Sequence, residues 1–428
     1  MNVFRSSSGV SWLPVLLGKQ KDNNCNTPVY IQILFFHCQI IQVLFSSNPL
    51  KLLFLSMRLK VILLLLAGCT VHSCNHNEAD VQSDPLPSKK KRPNIIFMVG
   101  DGMGLAQMSS AYLYKTEEPN FSRFPVVGLI KTTSGSHKIT DSAAGATAFS
   151  CGKKTYNGAI GVDMDTTAAK TIVEELSEHG WNTGIISTSS ITHATPASFY
   201  AHVPSRMHQE EIARQLVYSD VDFFAGGGFK WFLNRTDSVN YGDSLINNGF
   251  ILDTNSMEGS IAEGKKPAYL FEPDGLPGKH LGRDDFLSRA TQRALDHLSD
   301  SEDPFFLLIE GSQIDWGGHA NNGEYIIEEV KDFDNAIGTV LDFAAADSNT
   351  LVVVTADHET GGFTLSSETK VGPYKSIYSD YNSVVSTFST GGHSYAMVPV
   401  LAFGTDAAMF SGIYENTEIH SKFRKISQ

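Results

Sequence analysis

The sequence predicts an α/β fold built on a mostly parallel sheet covered by helices on both faces. Three observations predict it. Short, unbroken apolar runs recur along the chain, as strands buried on both faces require. These runs alternate with stretches of helical period. Acidic, histidine and glycine residues gather just after the runs, where open α/β sheets place their functional groups.

The first run, 94–99, reads as a buried strand that ends in Gly100-Asp101-Gly102. A helical stretch over 171–179 precedes a second strand at 184–187. A helical stretch over 283–298 precedes a third at 305–310, and one over 325–345 precedes a fourth at 351–355. A fifth run fills 398–403. The chain has 428 residues, 42% hydrophobic and 18% charged, which excludes a disordered polymer, a collagen-like repeat and a small disulfide-stapled scaffold. Its net charge is −13, with six basic residues and one acid in the first 69 positions, so the remainder is more acidic still. That balance argues against nucleic acid as a partner. Fourteen histidines in an acidic chain suit cation binding, and the five cysteines show no disulfide framework.

The first hundred residues read differently. Residues 57–69 place two basic residues before a short apolar run that ends Leu66-Ala67-Gly68-Cys69. This resembles a bacterial lipoprotein signal, too short to span a bilayer, with Cys69 lipidated. Met57 then reads as the start, and 1–56 as an upstream segment outside the mature protein. Residues 70–92 read as a polar tether, and 93–428 as a single catalytic domain. A lipid-anchored protein of the bacterial cell envelope, periplasmic or on the surface, is the expectation.

Five strings carry chemistry. In Val99-Gly100-Asp101-Gly102-Met103-Gly104, the glycines let a carboxylate approach a cation closely; a tight turn with an Asx cap reads equally well. In Glu310-Gly311-Ser312-Gln313-Ile314-Asp315-Trp316-Gly317-Gly318-His319, Asp315 and His319 lie one helical turn apart, a usual transition-metal pair. Two glycines there are poor for an exposed helix and favour a site. Asp357 and His358 are adjacent at a buried strand end, where both can turn toward one ion. Gly391-Gly392-His393 is by itself a histidine on a flexible loop. In Thr140-Asp141-Ser142-Ala143-Ala144, Ser142 stands where a helix begins, either as part of a cap or as a nucleophile backed by the helix N-terminus. No Gly-x-Ser-x-Gly elbow is present, so a metal would have to activate that hydroxyl.

Together with Thr192-His193-Ala194-Thr195-Pro196 and Gly226-Gly227-Gly228, these strings resemble the alkaline phosphatase family of metal-dependent phosphomonoesterases, in family order over roughly residues 93–404. The resemblance implies an alkaline-phosphatase-like three-layer α/β/α sandwich. It implies two Zn²⁺ ions, one held by Asp315, His319 and His393 and one by Asp101, Asp357 and His358, beside the nucleophile Ser142. It implies one Mg²⁺ held by Asp101, Thr195 and Glu310. Arg206 would clamp the phosphate of a monoester substrate, preferred by its spacing over nearby Arg214. His193 and Trp316 occupy substrate-side positions that vary in the family and bear on magnesium affinity, turnover and pH optimum. The short interval between His358 and His393 allows only a small insertion, so a homodimer is permitted rather than required. A sulfatase would carry a Cys-x-Pro-x-Arg motif, and none is found. A diesterase would have no evident need for Glu310, and a non-catalytic binding protein predicts a damaged ligand set, whereas this one is intact.

Overall fold

The structure, a computed structural model, describes residues 92–428. The upstream segment 1–56, the signal 57–69 with Cys69, and all but the last residue of the tether lie outside the described residues. Fourteen strands follow one another: β1 Asn94–Gly100, β2 Val126–Lys131, β3 Asn182–Ser190, β4 Phe223–Gly227, β5 Phe250–Asp253, β6 Lys266–Leu270, β7 Phe305–Gly311, β8 Thr350–Thr355, β9 Glu359–Thr360, β10 Thr364–Val371, β11 Ile377–Thr387, β12 His393–Ser394, β13 Val398–Gly404 and β14 Gly412–Glu415. The α-helices among them are α1 Leu105–Tyr114, α2 Ser142–Cys151, α3 Ile172–Ser177, α4 Ala194–Ala197, α5 Gln209–Val217, α6 Lys230–Leu233, α7 Tyr241–Asn247, α8 Phe286–Leu298, α9 Gln313–His319, α10 Gly323–Asp347 and α11 Glu418–Ser427.

Ten strands form one sheet in the order β14-β2-β13-β8-β1-β7-β3-β4-β6-β5. Every neighbouring pair is parallel except those of β13, which runs against both β8 and β2. The fifth apolar run is therefore the one strand of reversed direction in this ten-stranded sheet. Its burial is like that of its neighbours, so its apolar pattern carried no sign of direction.

The central strands are buried on both faces, and consecutive side chains point opposite ways. Phe305 packs on Phe343 of α10, while Phe306 packs on Phe199 and on Phe423 of α11. Phe97 of β1 joins that second face against Phe149 of α2, Phe199 and Phe423. Caps fix where the helices begin. The Asp141 carboxylate accepts from Ala144 N at the start of α2. Thr171 and Glu174 form a reciprocal capping box on α3, and Asn322 accepts from Tyr325 N on α10.

Strands β8, β1, β7 and β3 are adjacent in the sheet, so their carboxyl ends open onto one place. Between β9 and β12, the chain makes an antiparallel hairpin, β10 with β11. Among the described residues no helix is long and apolar enough to cross a membrane.

Candidate metal centre

Four central strands each deliver a ligand-bearing segment to one end of the sheet. Asp101 follows β1, and Glu310 is the next-to-last residue of β7. Asp357 and His358 follow β8, and His193 and Thr195 follow β3. The helix α9 begins two residues after β7 and carries Asp315, Trp316 and His319. The glycines between them meet close neighbours. A Cβ on Gly317 would come within 2.8 Å of Ile326 N, and one on Gly318 within 2.8 Å of Thr360. They let α9 lie against α10 and β9, which is why a glycine pair stands in a helix.

The expected ligands come together. His319 Nε2 lies 3.4 Å from Asp315 Oδ1 and 3.2 Å from His393 Nε2, and His393 Nε2 lies 3.6 Å from Asp315 Oδ1. His358 Nε2 lies 3.2 Å from Asp357 Oδ2 and 3.5 Å from Asp101 Oδ1. The His358 and His393 rings stack with centroids 3.5 Å apart, so the two donor sets share a wall. Among the described residues, three groups have donor atoms mutually close enough to hold an ion: Asp315, His358 and His393; Asp101, Asp357 and His358; Asp101, His193 and Glu310. His358 thus stands between the first two groups, and Asp101 belongs to the second and third.

The donors are oriented from behind. His319 Nδ1 is 2.8 Å from Gly391 O, and His393 Nδ1 is 2.8 Å from Thr140 O, which leaves each Nε2 facing the cluster. Thr360 Oγ1 donates to Asp315 Oδ1 at 2.5 Å and lies 3.1 Å from His358 Nδ1. Asp357 Oδ1 accepts from Gly102 N and His358 N, and Oδ2 accepts no hydrogen bond. Glu310 Oε2 accepts from the Ser187 and Ser312 hydroxyls at 2.6 Å each, leaving Oε1 free.

The residues fit cations. Asp101, Glu310 and Asp357 are fully buried, and Asp315 nearly so. Both Asp101 oxygens, Asp357 Oδ2, Glu310 Oε1, Thr195 Oγ1 and His193 Nδ1 are buried with no hydrogen-bond partner. Buried polar atoms are seldom left so unless a ligand completes them. Burial, then the neighbouring Asp357, Asp315 and Glu310 carboxylates, push the Asp101 pKa well above its ordinary value. Burial raises Glu310 to about 7 against the opposing serine hydroxyls. The mixed Asp and His donors suit zinc, and the oxygen donors of Asp101, Glu310 and Thr195 suit magnesium.

Ser142 begins α2 with Oγ 3.3 Å from His358 Nε2, against the second donor group. Arg206 reaches the same space: Nη1 donates to Asp141 Oδ2 at 3.2 Å and Nη2 lies 3.1 Å from His193 Nε2. Arg214 is instead bound to Glu211 through Nε and Nη2, both at 2.7 Å, so Arg206 is the arginine at the site. Burial, with Arg206 beside it, lowers His193 to about 3, so its ring is neutral at pH 7. The Trp316 indole meets His193 edge to face at 6.1 Å and packs over Gly275, where a Cβ would clash at 2.5 Å. Sequence reasoning missed Asp141 and Thr360 as parts of the site, because their partners lie 65 and 45 residues away.

The alkaline phosphatase family model matches residues 92–387. The chain is 37% identical over 312 residues to alkaline phosphatase 4 of Bacillus subtilis (strain 168), covering 67% of this chain and 67% of that protein. It is 32% identical over 431 residues to alkaline phosphatase 3 of the same organism, covering 82% and 92%. Among solved structures, the alkaline phosphatase of the Antarctic bacterium TAB5 is similar at 51% identity and a TM-score of 0.76, over 79% of this chain and 98% of that one. A His-to-Asp mutant of the TAB5 enzyme with Mg bound in its M3 site matches at 50% identity and a TM-score of 0.77, with the same coverage.

Proposed function

The chain belongs to the alkaline phosphatase family, and from that premise we propose how its residues divide the reaction. The protein is a metal-dependent phosphate monoester hydrolase that uses zinc and magnesium. Asp315, His319 and His393 would hold one zinc, and Asp101, Asp357 and His358 the other. Asp101, Thr195 and Glu310 would hold magnesium, with neutral His193 at its side. When bound, these ions supply positive charge and Lewis acidity that lower a hydroxyl's pKa and offset charge on the attacking and leaving oxygens.

Arg206 binds two oxygens of the phosphate dianion through its planar fork and turns the phosphorus toward Ser142. Ser142 Oγ, its proton passed to solvent, attacks phosphorus; the ester P–O bond breaks, and the leaving oxygen takes a proton from solvent and departs as the alcohol. Water then attacks the phosphoserine in line and gives up a proton, the P–Oγ bond breaks, Ser142 Oγ regains a proton, and inorganic phosphate leaves. The N-terminus of α2 favours negative charge on Oγ throughout. Trp316, edge to face with His193, would restrict how the ester group lies on that side.

One observation carries this reading: the unpartnered, buried carboxylates lie around His358, within reach of a serine at a helix start. The test is hydrolysis of p-nitrophenyl phosphate at pH 7 to 10 with Zn²⁺ and Mg²⁺, before and after chelation. Ser142→Ala is expected to lower turnover by about a thousandfold or more while phosphate and zinc binding persist. Zinc-loaded, folded protein that hydrolyses diesters in preference, or nothing, would overturn it.

Lipidation at Cys69 would place the enzyme in the bacterial cell envelope, facing the periplasm or the surface. Fatty-acid labelling of the native protein that vanishes in Cys69→Ala supports this, and label that persists refutes it. The β10–β11 hairpin exposes Val371, Tyr374, Ile377 and Tyr381, an apolar face suited to a second copy. A homodimer by light scattering, split by Tyr381→Glu, is the expected result; a monomer at all concentrations would refute it.

A further inference from the structure

The zinc ligands proposed above lie on several segments of the chain, after β1, after β8, on α9 and in β12, and their spacing must be set by something other than the ions. We propose that Glu359 is a positioning residue that fixes the loop carrying His393 against the turn carrying Asp357 and His358. The inference rests on the metal assignment just given.

Glu359 follows His358 and is 5% exposed. Its two carboxylate oxygens point to different parts of the chain. Oε1 accepts from Gln107 Nε2 at 2.8 Å and from Phe363 N at 3.0 Å. Oε2 accepts from the hydroxyl of Ser394, the residue after His393. The same Gln107 amide donates to Thr360 O at 2.8 Å. Gln107 is fully buried in α1, which begins four residues after Asp101. One side chain therefore joins the segment behind Asp101, the segment behind His358 and the segment behind His393.

The backbone was shaped to admit it. A Cβ on Gly104 would come within 2.5 Å of Glu359 Cγ, so glycine ends the Asp101 turn where this side chain passes. The two-residue ladder between β9 and β12 pairs Ser394 with Glu359 and His393 with Thr360, which sets the register the carboxylate locks. The local alternative is that Glu359 only caps its own turn through Phe363 N. That contact uses one oxygen, and the other reaches 35 residues along the chain to Ser394. Without that bond, His393 keeps its contact with Thr140 O, its stack on His358 and the backbone ladder to β9, but its segment loses a buried side-chain tie that resists movement away from Asp315.

The experiment starts from the zinc-loaded enzyme and titrates zinc away with a chromophoric chelator in wild type, Glu359→Gln and Ser394→Ala. The melting temperature of each metal-free protein is read in parallel. Wild type should release two zinc ions per chain; if it holds none, the metal assignment fails, not this inference. With that in hand, Glu359→Gln and Ser394→Ala are expected to weaken one of the two zinc sites by about 10–100-fold, the range for a group that orients a metal ligand. The melting temperature of metal-free Ser394→Ala should stay near wild type. Wild-type zinc affinity in both variants, whatever their melting temperatures, would overturn the proposal. Should Glu359→Gln fail to fold, Ser394→Ala alone decides, because it removes one hydroxyl and keeps the other contacts of the carboxylate.

Discussion

Asp141 caps the helix that begins at Ser142 with one carboxylate oxygen and holds Arg206 with the other. Oδ1 accepts from Ala144 N at 3.0 Å, and Oδ2 accepts from Gly158 N at 2.9 Å and from Arg206 Nη1 at 3.2 Å. The residue beside Ser142 thus couples where that hydroxyl stands to where the Arg206 guanidinium points. Asp141→Asn keeps a capping oxygen but removes the charge that anchors Arg206. We expect the KM for p-nitrophenyl phosphate and the inhibition constant for phosphate to rise several-fold together. Thermal stability should move by less than the ~1 kcal/mol that full loss of a cap costs. Unchanged phosphate affinity in this variant would show that Arg206 is oriented by other contacts.

A second charged cluster is structural. Arg283 donates to Glu329 Oε2 at 2.6 Å and to Asp332 Oδ2 at 2.9 Å, and Lys279 Nζ lies 3.1 Å from Asp332 Oδ1. Arg283, Glu329 and Asp332 are all nearly inaccessible to solvent, and the two acids sit on α10, the long helix behind α9. Arg283→Met leaves two buried carboxylates facing each other with only Lys279 nearby. A loss of about 3–5 kcal/mol in urea unfolding is expected, with the kcat of the remaining folded enzyme close to wild type. A loss under about 1 kcal/mol would mean that water reaches the cluster and solvates the acids.

The catalytic end of this molecule was legible because its chemistry is written locally. Asp357 next to His358, and Asp315 four residues before His319, carry their own geometry once a strand or a helix turn is granted. The five apolar runs were equally plain, since β1, β7 and β8 are buried along nearly their whole length. Other parts depend on partners far along the chain. Strand β4, Phe223–Gly227, ends in glycines, and β5 has four residues, so neither makes an apolar run. The β10–β11 hairpin is exposed on both faces, and without a buried side there is no alternation to read. The direction of β13 is set by the chain entering from β12 at the catalytic end, not by its own residues. Asp141, Thr360 and Glu359 acquire their roles only when Arg206, Asp315 and Ser394 arrive beside them.

His420 gives the fold an acid-sensitive point away from the metals. Its ring packs under Gly152, whose αL conformation at the end of α2 (φ 66°) leaves space that a Cβ would fill at 2.7 Å from Nδ1. Its Nε2 has no hydrogen-bond partner, and Glu175 Oε1 stands 3.9 Å off. Burial, then Arg424, lowers His420 from 6.5 to about 4. The folded pKa is depressed, so the unfolded chain binds a proton first as pH falls. Stability is whole above pH 6.5 and is lost between 6.5 and 4, by about 2 kcal/mol at pH 5. In metal-free protein, His420→Gln should therefore lose less stability than wild type between pH 7.5 and pH 5. Parallel declines in the two proteins would show that His420 takes up its proton in the folded state.

Removing the metals should destabilise the fold itself as well as stop turnover. Asp101, Glu310, Asp357 and Asp315 converge from β1, β7, β8 and α9, and burial disfavours the charged forms of Asp101, Glu310 and Asp357 in the bare protein. An ion that binds only the folded state stabilises it in proportion to the logarithm of its excess, about 4 kcal/mol at a thousandfold excess over Kd. The sites share Asp101 and meet at His358, so their ions are linked, and emptying one removes countercharge from the next. Melting followed at increasing chelator should thus show a drop that zinc reverses, with magnesium adding a further rise only after zinc is restored. A melting temperature indifferent to chelator would mean that metal binding is not coupled to folding.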